Sequence, residues 1–64
     1  MLEWEELVTY FRTRYDYYSY LDDVAFMVAM EARVIDMLNI PLNERTPYND
    51  DMIAKLEVIQ HYLT

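Results

Sequence analysis

The chain contains neither glycine nor cysteine. Without cysteine, disulfides, thiolate metal sites and thiol redox chemistry are excluded. Without glycine, tight β-hairpins lose the residue that most readily adopts positive φ, which favours an all-helical fold. Bases are scarce as well. Five lysines and arginines stand against twelve acids, for a formal net charge of −7. A small body of that charge repels phosphate backbones, so direct nucleic-acid binding is not expected. Long apolar runs are missing too. The charge-free run Val24 to Met30 has seven residues, against the roughly 20 needed to span a bilayer. The opening Met1-Leu2-Glu3-Trp4-Glu5-Glu6 is acidic where a signal peptide is basic. No membrane association is expected, and the expected location is the cytoplasm, the host cytoplasm if the chain is viral.

What the chain does have is apolar and aromatic mass. Of its 64 residues, 55% are hydrophobic and 16% aromatic, too many for a disordered polymer. A single domain of this length buries only about 60% of the surface its unfolded chain exposes. Small folds compensate with disulfides, metals or oligomerisation. With no cysteine, tight helix packing and association remain.

Apolar spacing places three helices, about 2–18, 20–38 and 48–63, in a single helical domain. In the first, Trp4, Leu7, Val8, Phe11, Tyr15 and Tyr18 recur at steps of three and four, the stripe of an amphipathic helix. Glu3, Glu5 and Glu6 suit its positive N-terminal end, and Arg12 and Asp16 are spaced to pair. The second carries two apolar faces. One holds Leu21, Val24, Ala25, Val28, Ala32 and Ile35; the other holds Met27, Met30, Val34, Met37 and Leu38. Burial on more than one side is implied, with Val28 expected inside and a second subunit expected against the helix. Asn39 is placed to end it in a left-handed conformation before Pro41. Thr46 with Pro47 behind it, or Asn49 slightly later, caps the third helix, whose stripe is Met52, Ile53, Leu56, Ile59, Tyr62 and Leu63.

Between the first two lies RYDYYSYLDD, residues 14–23. Ser19 and Asp22 have the spacing of a capping box with a shortened acid, which favours a turn near Tyr17 to Tyr20. The first stripe also continues in phase through Leu21, Ala25 and Val28, so one long N-terminal helix plus a shorter C-terminal helix satisfies the same pattern. Such a helix, of about 37 residues, measures roughly 55 Å.

No constellation in the chain specifies a reaction. His61 and Glu57 share a helix face at i,i+4, but no third ligand accompanies them, and an exposed terminal-helix histidine explains them better. Asp16, Asp22, Asp23, Glu31 and Asp36 do not form the Glu-x-x-His repeats of di-iron bundles. Phosphate loops and activated nucleophiles are missing. No enzyme activity, cofactor or metal is expected.

The tyrosines are the distinctive feature. Tyr10 and Tyr17 lie off the Trp4–Phe11–Tyr18 stripe, and aromatic enrichment with few lysines marks interface cores. The expected protein-binding residues are Tyr10, Arg14, Tyr17, Tyr20, Met27 and Met30. Arg12, Arg14 and Arg33 near the tyrosines could form a base-stacking platform, but Asp16, Asp22 and Asp23 beside them oppose it. The function expected is that of a small acidic, non-catalytic protein-binding module, a homodimeric helical bundle that regulates or inhibits a larger protein by occupying its surface. Short acidic chains of this kind are common among phage and viral regulators. An acidic mimic of nucleic acid, blocking a DNA- or RNA-binding protein, is the alternative. A helix-turn-helix regulator ranks below both, because its recognition helix would carry Asp50, Asp51 and Glu57 against Lys55 alone.

Overall fold

The computed structural model describes residues 1–64 and is all-helical. Four α-helices, α1 (Trp4–Arg12), α2 (Asp23–Met37), α3 (Pro47–Ala54) and α4 (Leu56–Leu63), are joined by loops, with a 3-10 turn at Leu42–Glu44. Its longest dimension is 34 Å, so the continuous N-terminal helix of roughly 55 Å does not form. Residues 1–38 make two helices separated by a ten-residue turn.

α1 starts where Glu3 and Glu6 complete a reciprocal cap, the Glu3 amide donating to Glu6 Oε1 at 3.2 Å. It ends at Arg12 rather than at residue 18. From Tyr15 to Tyr20 every residue is Tyr, Asp or Ser, all from the weaker part of the helix-propensity scale. The polar side chains before this run also turn back: the Thr13 hydroxyl and Arg14 Nη1 both donate to the Tyr10 carbonyl, each at 2.9 Å. Such local bonds compete with continuation of the helix. Arg12 does not pair with Asp16. It reaches across the turn, donating from Nη2 to the Leu21 carbonyl at 2.7 Å and to Asp23 Oδ1 at 2.9 Å. One arginine thus fixes the end of α1 to the start of α2.

The turn near Tyr17–Tyr20 is present, closed by Ser19 N–H to the Asp16 carbonyl and Leu21 N–H to the Tyr18 carbonyl. The cap that follows is Asp22 itself, accepting from the Ala25 amide at 2.9 Å; Ser19 is not the cap. At the far end Asn39 does not adopt a left-handed conformation, since no residue of the chain has positive φ. The last turn of α2 tightens instead, with Leu38, Asn39 and Ile40 amides bonding three residues back. Arg45 supplies what a glycine cap would have done. Its guanidinium donates to the carbonyls of Ile40 (3.0 Å) and Leu38 (3.1 Å), groups that a helix end otherwise leaves unpaired.

Thr46 caps α3 reciprocally with Asn49, with Pro47 at the first helical position. The expected third helix is two, divided at Lys55, whose φ of −90° and ψ of −6° bend the path without leaving helical space. α4 closes the fold by packing against α2. Tyr62 donates its hydroxyl to the Leu2 carbonyl at 2.7 Å, and its ring tilts against Trp4 at 5.4 Å.

Ten side chains are buried: Leu7, Val8, Phe11, Tyr15, Phe26, Met27, Met30, Val34, Met52 and Ile59. All are apolar or aromatic, and no buried side-chain nitrogen or oxygen lacks a partner. α2 is the central element, meeting α4, α3 and α1 along one side. Of its two apolar faces, the core takes Met27, Met30 and Val34 together with Phe26. Val28, expected inside, is 52% exposed. The reason is Phe26. This large ring lies under Arg12, whose guanidinium carbon is 4.3 Å from the ring centre, and seating it inward rotates Val28 outward.

Candidate protein-binding surface

The six residues expected to form an interface fall into three environments. Met27 and Met30 have no exposed surface. They are core, and no partner of the folded protomer touches them.

Tyr10 and Arg14 belong to an internal cluster. Tyr10 on α1 donates its hydroxyl to Asp51 on α3, while Arg14 and Lys55 cover its ring at 3.6 and 4.0 Å from the centre. Lys55 in turn bonds Asp51 Oδ1 at 3.1 Å. Burial, reinforced by the bond to Asp51 and by its charge, pushes the Tyr10 phenol up to about 12. The same bond, with Lys55, holds the Asp51 carboxyl below its ordinary value. This arrangement ties α1 to α3, and the half-buried Tyr10 ring has little left to offer a partner.

Tyr17 and Tyr20 are the exposed pair, at 70% and 79%. They stand on the turn before α2. Next to them, Tyr15 turns inward and meets Tyr48 at 6.4 Å between ring centres, with Arg33 stacked 4.9 Å above the Tyr15 ring. Partial loss of hydration beside Tyr15 raises the Tyr48 phenol to about 12. Tyr15, Arg33, Asp36, Met37, Ile40, Tyr48 and Asn49 border a shallow groove of about 390 Å³ between α2 and α3.

All five cations are thereby engaged within the protomer: Arg12, Arg14, Arg33 and Lys55 over aromatic rings, Arg45 on the end of α2. The acids have fewer partners. Asp23 and Asp51 are the two in ion pairs. His61 is exposed at the edge of Tyr62, 5.2 Å away, and no group of three or more metal-binding side chains converges.

The outward side of α2 was not among the expected site residues. Val24, Val28, Ile35 and Leu38 are exposed along it, with Ala25 and Ala32 between them and half-buried Leu21 leading in. Its signal was in the sequence. A helix with two apolar faces in a 64-residue chain can give only one to its own core, and the position of Phe26 identifies which. No helix is long and apolar enough to cross a membrane. No protein-family model matches the chain, and neither a curated protein nor a solved structure matches it.

Proposed function

We propose that this is a small, acidic, non-catalytic protein-binding module, homodimeric in its working state, that regulates or inhibits a larger protein by occupying its surface. The observation that carries this reading is the distribution of exposed apolar mass. Val24, Val28, Ile35 and Leu38 line the outward side of α2 and Tyr17 and Tyr20 stand just before it, while Met1, Leu42 and Tyr48 are exposed elsewhere. A contiguous exposed apolar surface rimmed by polar residues is the mark of a protein contact. Tyrosine contributes large contact area with a polar tip and little entropy cost. The commitment of all five cations to internal contacts supports a protein partner over a phosphate backbone, which needs free positive charge.

The test is affinity capture from extracts of the source organism with the wild type and a Tyr17→Ala/Tyr20→Ala variant in parallel. A protein retained by the wild type and lost by a variant of unchanged circular dichroism supports the reading. If the two proteins retain the same set, the tyrosines contact no partner.

A further inference from the structure

We propose that the groove between α2 and α3 binds a small zwitterion, an α-amino acid with a large apolar side chain. The groove carries one charge of each sign. Arg33 and Asp36 both border it, and neither takes part in the protein's two ion pairs, Arg12–Asp23 and Lys55–Asp51. They stand three residues apart on α2, a spacing that puts Cβ atoms roughly 5–6 Å from each other and allows side chains to meet. They do not pair, because the Arg33 guanidinium is drawn over the Tyr15 ring, 4.9 Å from its centre. Its other neighbours are the Tyr15 and Tyr18 phenols, which are uncharged at neutral pH. Stacking occupies the face of a guanidinium and leaves N–H groups at its edge for a carboxylate.

The sign pattern selects the ligand. A simple anion meets Asp36 and a body of net charge −7; a simple cation meets Arg33. A ligand that carries both charges and none in net pairs its carboxylate with Arg33 and its ammonium with Asp36, and the overall field does not repel it. In an α-amino acid a single carbon separates the two groups, short enough to fit the step from Arg33 to Asp36. The rest of the border is apolar or aromatic: nearly buried Tyr15, half-buried Met37 and Ile40, and Tyr48 on α3. A methionine and two tyrosines suit an aromatic side chain. Asn49, the remaining polar residue, is committed to the α3 cap with Thr46 and asks nothing of the ligand. The volume of about 390 Å³ lies within the range of small-molecule sites, about 300–1,000 Å³. Because the groove is shallow, binding in the millimolar range is expected.

The site stands apart from any protein partner and is tested without one, by titrating L-phenylalanine into isotope-labelled protein and following the backbone amides by NMR. Saturable shifts are expected at the residues that border the groove, Arg33, Met37 and Tyr48 foremost. Phenylalanine amide, which lacks the carboxylate, and N-acetylphenylalanine, which lacks the ammonium, should each bind at least about tenfold more weakly. Glycine, with both charges and no side chain, should not saturate. Arg33 and Asp36 are exposed, so Arg33→Gln and Asp36→Asn should keep the helical circular dichroism and lose affinity for phenylalanine by a similar factor. Should Arg33→Gln fail to fold, the ligand analogues decide the question on the wild type. Absence of a saturable shift with phenylalanine at tens of millimolar, or shifts spread over the whole molecule, would overturn the site. N-acetylphenylalanine bound as tightly as phenylalanine would show that the groove reads a carboxylate alone, and would overturn the zwitterion.

Discussion

The two sides of α2 are both apolar but differ greatly in surroundings. The inward side presents Phe26, Met27, Met30 and Val34, all essentially without exposure; the outward side presents Val24, Val28 and Ile35, each about half exposed. The inward residues are larger and more flexible, and include two methionines that can fill the irregular space between α3, α4 and α1. The outward residues are compact, β-branched and interspersed with alanine, a shape suited to a straight neighbouring helix. Burial of an inward side chain is worth about 1.5–3 kcal/mol to the protomer. The outward side chains can realise a comparable gain only by meeting another surface.

The sharpest break in this comparison is Phe26→Ala. It should cost about 3–5 kcal/mol, enough to unfold much of a marginal 64-residue domain, with lost helical circular dichroism as the readout. Arg12→Ala should follow, because it removes the lid over Phe26 together with the bond to the Leu21 carbonyl and the pair with Asp23. The expected loss, about 1–3 kcal/mol, is read from the urea midpoint. Asp22→Ala removes only the cap of α2 and should cost about 1 kcal/mol. On the outward side, Val28→Ser should change the stability of the isolated protomer by less than about 0.5 kcal/mol, measured at a concentration too low for association. An effect there as large as that of Phe26→Ala would mean the two sides of α2 are not distinct.

A pH titration sharpens the comparison by probing the ties that surround the inward side. The Tyr10 and Tyr48 phenols are raised from 10.0 to about 12 in the folded protein. The folded state thus holds these protons more tightly than the unfolded chain does. Their contribution to stability is complete below pH 10 and is lost as pH climbs toward 12. Asp51 behaves in the opposite sense. Its pKa is lowered on folding, so its contribution is present above the unfolded value and disappears as pH falls through the folded one. Tyr10→Phe should blunt the alkaline loss and also weaken the acid one, because Asp51 loses its donor.

Much of the fold was legible because it rests on local chemistry. Thr46 and Pro47 mark the start of α3 in both sequence and structure, and the stripe Leu7, Val8 and Phe11 is the buried face of α1. The end of α1 was harder to read, since apolar periodicity runs in phase through the tyrosines and no Gly or Pro interrupts it. What stops the helix is the weak propensity of residues 15–20 and the long reach of Arg12, and only the first is visible in a local window. The end of α2 depends on Arg45, a side chain seven residues beyond Leu38, so a rule based on left-handed caps selects Asn39 instead. The surface followed the same division. Tyr17 and Tyr20 were identifiable by composition, whereas the partnership of Tyr10 with Asp51 joins residues 41 positions apart and has no local signature. Met27 and Met30 were assigned outward because helical phase alone does not say which of two apolar faces the rest of the chain will cover.

The central claim, that the protein works as a homodimeric binding module through its exposed apolar surface, is tested most directly by sedimentation equilibrium of the wild type beside Val28→Asp. The account predicts a wild type that moves from 7.8 kDa toward twice that mass as concentration rises, and a variant that remains at the lower mass with its helical circular dichroism retained. A wild type monomeric throughout the micromolar to millimolar range, or a Val28→Asp variant that dimerises as the wild type does, would contradict it.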